Sequence, residues 1–160
     1  MNLKYYVLKY IFKTIDIGSP ISRELSNFQE YKFVFRGVNF KSMEGLLQGI
    51  KFKDIDKQNK VFELAGKKAK FKGKKSKWYL TQELYFQGTM LRRNSNEYFE
   101  FLNEAFRCLY FQNEDAKRNL MSTKKYKLIH SIGKNDKIKT VLTENEFVEI
   151  LYQIRKELSI

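Results

Sequence analysis

The sequence predicts an α+β fold that is mainly α-helical, with a small antiparallel β-hairpin or sheet covered by helices. Its 42% hydrophobic and 16% aromatic content is too high for a disordered chain, and 160 residues suit one folded domain over positions 1–160. Aromatic residues alternate through positions 31–40 on both sides of a turn, which is typical of a hairpin. Several later segments carry apolar residues at helical spacing behind residues that cap helices.

The predicted strands lie in the first forty residues. The β-prone run Tyr5–Leu8 predicts one strand, and the segments 31–35 and 38–40 predict a hairpin that turns at Arg36 and Gly37. Because two strands cannot bury a core by themselves, helices must cover this hairpin.

Two helices are predicted directly after the hairpin. Ser42 can cap the first, and the second runs from about residue 54 to 65 and stops at Gly66. The apolar side of the first helix carries Met43, Leu46, Leu47 and Ile50.

Three further helices are predicted in the second half of the chain. The first two span about 95–113 and 113–120. The last begins at Thr143, which forms a capping box with Glu146. One apolar stripe of this last helix consists of Phe147, Ile150, Leu151, Ile154 and Leu158.

The charge of the chain predicts an anionic partner. Lysine and arginine number 31 against 18 aspartates and glutamates, which gives a formal net charge of +13. Such a balance concentrates phosphate-bearing molecules near the surface. Nucleic acid, a pyrophosphate-containing nucleotide and simple solubility all remain compatible with it.

Other features argue against several classes of site and location. The single Cys108 and the single His130 cannot form an intramolecular disulfide or a Cys/His zinc site, so neither a metal nor a cofactor is expected. No apolar run is long enough to span a bilayer, and no cleavable signal is present, so no membrane contact and a cytoplasmic location are expected. The oligomeric state stays open.

The first predicted helix carries an acid, an amide and an amine at the spacing of successive helical turns. Glu44, Gln48 and Lys51 recur at i, i+4 and i+7, so their side chains fall within about 60° of one another. They either line a cleft or face water, where the acid and the amine would match the helix dipole. Gly45 and Gly49 each cost about 1 kcal/mol in a helix interior, which indicates close approach of a ligand or another helix.

An ordered set of residues resembles the framework of the YbiA-like, or NADAR, proteins from about Ile21 to the C-terminus. The set comprises Leu25-Ser26-Asn27-Phe28, Gly37, Phe40, Glu44, Gln48, Lys51-Phe52, Gly66-Lys67-Lys68-Ala69-Lys70, Gly73 and Trp78. The resemblance implies a mainly helical fold with a small sheet and N-glycosidase activity on a ribose-linked nitrogen. The leading interpretation is removal of ADP-ribose from guanine in DNA or RNA. The alternatives are hydrolysis of ribosylated riboflavin-pathway intermediates and a non-catalytic module that binds an NAD-derived or ADP-ribosylated ligand.

The resemblance also assigns residues to this site. Glu44 would stabilise charge or shuttle protons, and Lys51 would attack the anomeric carbon of a ring-opened sugar. His130 stands where relatives have an acid, and either acts as an acid or base or merely caps a turn. The tryptophan that better-known family members carry near this position, in a Trp-Gly segment after an acidic cluster, is missing here. The remaining residues predicted to bind substrate are Ser26, Asn27, Phe28, Phe40, Gln48, Lys70, Trp78, Arg93, Ser131 and Gly133.

Residue chemistry gives separate reasons for considering Arg93, Trp78 and the segment 66–77. The guanidinium of Arg93 would suit a pyrophosphate, and Trp78 either stacks on a base or fills the core. The segment 66–77 carries seven lysines around Phe71. This segment is either a strip that holds phosphates or nucleic acid, or a solvated, flexible basic loop.

Overall fold

Helices and three two-stranded β-sheets make up residues 3–160, the part of the chain that the computed structural model describes. The α-helices are α1 (Leu3–Tyr6), α2 (Met43–Gly49), α3 (Ile55–Phe62), α4 (Gly66–Gly73), α5 (Asn96–Gln112), α6 (Glu114–Ser122) and α7 (Glu144–Glu157). The strands are β1 (Thr14–Asp16), β2 (Phe33–Phe35), β3 (Val38–Phe40), β4 (Glu83–Phe86), β5 (Thr89–Arg92) and β6 (Lys127–Ile129). The α+β class with small sheets is confirmed.

The predicted hairpin is formed by β2 and β3. Phe33 pairs with Phe40 and Phe35 with Val38 in an antiparallel register. Arg36 and Gly37 both have positive φ, 47° and 76°, as a tight two-residue hairpin turn requires. The hairpin packs its buried phenylalanines against α5.

A second hairpin, β4–β5, was not predicted. Its turn residues, Gln87 and Gly88, again have positive φ, 47° and 87°. Only Leu84 and Phe86 are buried along both strands, so its alternation of apolar and polar residues is short. Glutamine is also a less usual first residue of such a turn than asparagine or aspartate, so the sequence signal was weak.

The parallel pair β1–β6 joins distant parts of the chain. Thr14 pairs with Lys127 and Asp16 with Ile129. The strand predicted for Tyr5–Leu8 is wrong, because this run is helical as α1 and the π-helical turn Val7–Ile11. β-Propensity reflects packing on a half-buried sheet, and no residue of these helical turns is buried.

Four predicted helices are confirmed with their caps. The side chains of Ser42, Ser95, Asn113 and Thr143 accept hydrogen bonds from backbone amides in the first turns of α2, α5, α6 and α7. The Thr143 capping box is complete, because Glu146 accepts the Thr143 amide at 2.8 Å. Such caps satisfy amides that would otherwise lack partners in the first turn.

The boundary around Gly66 differs from the prediction. Helix α3 ends at Phe62, and Gly66, with φ of 54°, begins α4 instead of ending α3. The segment 66–73 is therefore an ordered helix and not a flexible loop. Ala69 and Gly73 are its buried face, and they pack α4 against α2 and α3.

The core is built around a cluster of phenylalanines between the two hairpins and helices α3 and α5. Phe35, Phe40, Phe62, Phe86 and Phe101 contact one another with ring centroids 4.6–6.4 Å apart. None of the helices formed by residues 3–160 combines the length and apolar character that a bilayer crossing requires.

Candidate functional site

A central cleft of about 650 Å³ opens beside α2, a size typical of small-molecule sites. Its walls are formed by segments 17–20 and 26–29, the polar side of α2, the start of α4, His130 and segment 139–143. Within residues 3–160, no group of three or more His, Cys, Asp or Glu side chains is placed to share a metal ion.

The floor of the cleft carries Glu44, Gln48 and Lys51, which we call the polar row. Lys51 Nζ donates to Gln48 Oε1 at 2.6 Å, and Gln48 Nε2 donates to Glu44 Oε1 at 2.8 Å. Glu44 and Gln48 are only 6% and 7% exposed. The three side chains therefore face the cleft and not open solvent, and the amide links the amine to the acid.

Burial changes the acid–base properties of the polar row. It lowers the pKa of Lys51 to about 8, and the charge of Lys70 adds to this effect while Glu44 opposes it. Burial also raises the pKa of Glu44, against the hydrogen bond from Gln48 and the charges of Lys70 and Lys51. About a tenth of Lys51 is then a neutral amine at pH 7, and Glu44 is better able to carry a proton.

Stability measurements can test the lowered pKa of Lys51. Since its pKa is lower in the folded than in the unfolded chain, the charged amine destabilises the fold below pH 8, and stability rises with pH between about 8 and 10.5. We expect Lys51→Met to change this pH dependence. Its free energy of unfolding relative to the unsubstituted chain should fall by about 1–2 kcal/mol between pH 7 and 10. Urea unfolding at both pH values measures this. An identical difference at both would contradict the lowered pKa.

His130 lies across the cleft from this floor, in the loop after β6. Its ring meets Phe147 edge-on, with centroids 5.5 Å apart. Burial lowers the pKa of His130, aided by Lys70, while Asp16 and Glu144 oppose this shift. The imidazole is therefore held in its neutral form at pH 7, in which it can accept a proton.

Asp16 fixes the loop that carries His130, and sequence reasoning did not identify it. Its carboxylate accepts the amides of Gly18 and Ser131, both at 3.0 Å, and the Ser131 hydroxyl. Burial would raise the pKa of Asp16, but the hydrogen bonds from Ser131 and Gly18 outweigh it and lower the pKa. The Ser131 side chain is thus engaged by Asp16 and does not line the cleft.

Gly133 and Gly73 do not line the cleft, but the space left by their missing side chains is needed by His130 and Gln48, which do line it. A Cβ atom on Gly133 would lie 2.6 Å from His130 Nδ1, and one on Gly73 would lie 1.9 Å from Gln48 Oε1. Gly45 and Gly49 instead face the end of α3, where a Cβ would meet the Leu64 carbonyl at 2.7 Å and the Phe62 ring at 2.3 Å. Another helix, rather than a ligand, therefore explains these two helical glycines.

Ser26, Asn27, Phe28 and Lys70 line the cleft as the sequence predicted. The Asn27 carbonyl accepts the Glu44 amide at 2.9 Å, so this segment is attached to the start of α2. Lys70 Nζ lies 5.4 Å from the centroid of the Phe28 ring. Lys67, from the predicted lysine strip, also lines the cleft, together with two cations that were not predicted there, Arg23 and Lys139.

Besides Ser131 and Gly133, three more residues predicted to bind substrate lie outside the cleft. Phe40 and Trp78 are buried in the core, so Trp78 fills the core and does not offer a face to a base. Arg93 is 1% exposed and forms a two-fold ion pair with Glu146, at 3.0 and 2.6 Å. The guanidinium is therefore occupied and does not face a pyrophosphate.

Arg93 nevertheless helps to hold the cleft wall. Its Nε donates to the carbonyl of Thr140 at 2.7 Å, and the neighbouring Tyr98 hydroxyl donates to the carbonyl of Val141 at 2.6 Å. Both carbonyls belong to segment 139–143. Because Glu146 also completes the cap of α7, one buried ion pair joins the wall segment to the last helix.

The fold is that of a YbiA-like protein. The solved NMR structure of the E. coli protein YbiA superimposes with a TM-score of 0.57 and 17% identity, covering 85% of this chain and 77% of that one. Residues 19–156 match the family described as bacteriophage protein GP30.3, and the chain belongs to that family. It is also 33% identical over 138 residues to a 17.1 kDa protein from the Gp30–rIII intergenic region of Enterobacteria phage T4, covering 84% of this chain and 90% of that protein. The resemblance predicted from the sequence is thus confirmed.

Proposed function

We propose that this protein is an N-glycosidase that hydrolyses a ribosyl C–N bond and removes ADP-ribose from guanine in DNA or RNA. The observation that supports it most is the polar row, in which a buried amine with a pKa of about 8 is joined through one amide to a buried acid. An amine of this kind is a nucleophile near neutral pH. The acid beside it supplies the proton that a departing base needs.

The reaction can be written with the residues of the cleft. Ring opening breaks the bond between C1 and the ring oxygen, which takes a proton from Glu44, and leaves C1 doubly bonded to the base nitrogen. The neutral Lys51 amine adds to C1 and passes a proton to the Glu44 carboxylate. Glu44 then gives this proton to the base nitrogen, which leaves with the electrons of its C1–N bond, and C1 becomes an imine of Lys51. Water adds to the imine with neutral His130 accepting its proton. His130 returns that proton to the lysine nitrogen, which leaves C1 as the free amine, and the new C1 hydroxyl loses its proton to Glu44 as the sugar aldehyde forms. Gln48 holds the amine and the acid in register.

The charges around the cleft suit an ADP-ribose group. Arg23, Lys67, Lys70 and Lys139 line it, whereas Glu44 is the one carboxylate among the described residues that do so. A pyrophosphate carries two negative charges that such cations attract. This distribution supports a phosphorylated ribosyl substrate over an uncharged riboside.

The test compares three substrates with free ADP-ribose, which has no base to release. The protein is incubated with an ADP-ribosylated guanine oligonucleotide, with the ADP-ribosylated guanine nucleoside and with a ribosylated pyrimidine, and released product is measured by chromatography. Release of ADP-ribose from the guanine substrates supports the proposal. Turnover of the pyrimidine alone would replace it with a metabolic hydrolase. Tight binding of ADP-ribose without any turnover would identify a binding module.

Gly73→Ala should lower the cleavage rate without unfolding the protein. The new methyl group occupies the space of Gln48 Oε1, so Gln48 must move and its bonds to Lys51 and Glu44 break. We expect about a tenfold fall in kcat, the scale of one misplaced catalytic hydrogen bond. Steady-state kinetics with circular dichroism measures both effects. The control is Lys60→Ala on the exposed side of α3, which does not line the cleft. Full activity of Gly73→Ala would contradict the role of Gln48.

A further inference from the structure

The outer side of α4 and the turn after it form an unpaired cationic surface, which we call the lysine face. It carries Lys67, Lys68, Lys70, Lys72, Lys74, Lys75 and Lys77, all of them exposed. No aspartate or glutamate occurs between Leu64 and Gln82. Across residues 3–160, none of the salt bridges involves these lysines. More than half of the net charge of +13 is therefore concentrated here without a carboxylate to neutralise it.

The lysine face leads directly into the cleft. Lys67 and Lys70 line the cleft wall, whereas Lys68, Lys72 and Lys75 continue outward from it. Ala69 and Gly73 fix the opposite side of the helix against α2 and α3. A helix of this length extends about 12 Å. The phosphates of an extended single strand lie further apart than the roughly 3.4 Å of axis per phosphate in a duplex strand, so the surface can contact two or three successive phosphates next to the cleft.

Phe71 distinguishes this surface from one that serves only solubility. Its ring is 62% exposed among the lysines, and Lys75 Nζ lies 5.5 Å from its centroid. Solvation does not need an exposed phenylalanine, whereas a nucleobase stacks on one. Bases are available for such stacking in a single strand but not inside a duplex.

We propose that the lysine face and Phe71 bind single-stranded polynucleotide and guide it into the cleft. The inference rests on the proposed function for the modified base that the strand delivers, but binding of the strand itself can be measured without turnover. The protein would then recognise a polymer as well as its ADP-ribose group. Small ribosylated nucleosides would occupy the cleft alone.

Fluorescence anisotropy with unmodified oligonucleotides tests the surface. Oligodeoxynucleotide and oligoribonucleotide of one sequence, the matching duplex and poly-glutamate are titrated at several salt concentrations. We expect single strands to bind more tightly than the duplex and poly-glutamate. Lys68→Gln/Lys72→Gln/Lys75→Gln should weaken single-strand binding about tenfold and reduce the slope of log K against log salt by about 2. Phe71→Ala should weaken binding about tenfold with the slope unchanged, and Phe71→Trp should restore it.

A matched variant controls for net charge. Lys32→Gln/Lys124→Gln/Lys156→Gln removes the same charge from exposed lysines that do not line the cleft. It should bind like the unsubstituted protein. Equal weakening by both triple variants, equal affinity for poly-glutamate, or no effect of Phe71→Ala would overturn the proposal.

Measurements of cleavage kinetics distinguish a failure of this inference from a failure of the proposed function. The α4 triple variant should raise KM for the ADP-ribosylated oligonucleotide and leave cleavage of the ADP-ribosylated nucleoside unchanged. If no substrate is cleaved by the unsubstituted protein, the proposed function fails. The anisotropy titration still decides whether the lysine face binds single strands.

Discussion

Replacing Lys51 with alanine is expected to lower the rate of ADP-ribose release by about 10³-fold or more, because the proposed nucleophile is removed. Burial brings the pKa of Lys51 to about 8, so its neutral form is available at pH 7 without a separate base. Alanine should change kcat far more than the affinity for ADP-ribose, which we expect the cations that line the cleft to provide.

Two further variants make the Lys51 result specific. Lys51→Arg keeps the positive charge but remains protonated, so it should be as inactive as alanine. Lys53→Ala removes a nearby exposed lysine that does not line the cleft and should retain full activity. If Lys51→Arg retained most of the activity, charge rather than nucleophilic attack would explain the role of this position.

Glu44→Gln should lower kcat by about 10²-fold and shift the pH dependence of the remaining activity. The loss follows from removing the proton donor to the departing base. The shift follows from the coupling within the polar row, because the charge of Glu44 raises the pKa of Lys51. Without it, the pKa of Lys51 falls below about 8, and the residual rate should reach its plateau at lower pH.

A rate–pH profile of both proteins between pH 5.5 and 9.5 measures this shift. The unsubstituted protein needs one proton in the polar row, on Glu44 with Lys51 neutral, so its activity should fall as the pH rises past about 8 and that proton is lost. Glu83→Gln, at an acid that does not line the cleft, serves as the matched control. A Glu44→Gln profile whose residual rate still rises at or above a pH of about 8 would contradict the coupling.

The polar row could be predicted from sequence because its geometry is local. Glu44 and Gln48 share one side of α2 by helical periodicity, Lys51 follows in the turn directly after the helix, and Ser42 marks where the helix begins. The resemblance to YbiA-like proteins then favoured a cleft over solvent. Gly45 and Gly49 correctly indicated close packing, but only the structure shows that the packing partner is the end of α3.

The opposite wall could not be predicted, because it depends on contacts between distant residues. Asp16 reaches Ser131 only because β1 pairs with β6, and Arg93 meets Glu146 only through the packing of α7. No local pattern records either contact. An arginine in a loop looks available for a phosphate until its buried carboxylate partner is known, and this is why Arg93 was assigned to the substrate.

The N-terminal error has a related cause. The tyrosines and aliphatic residues of Tyr5–Leu8 favour a strand in isolation, yet a strand needs a neighbouring strand to pair with. The strand that pairs with β6 is β1, a few residues later, and Ile15 provides its buried apolar side chain. Tertiary pairing therefore decided which segment of the N-terminal region became β-structure.

Trapping the proposed adduct tests the central claim most directly. The protein is incubated with the ADP-ribosylated guanine oligonucleotide and sodium cyanoborohydride, which reduces a lysine–sugar imine to a stable amine, and is then digested and analysed by mass spectrometry. We predict a sugar adduct on the peptide that contains Lys51 and none in Lys51→Ala. Release of ADP-ribose at an undiminished rate by Lys51→Ala, with no adduct on Lys51 in the unsubstituted protein, would contradict the account.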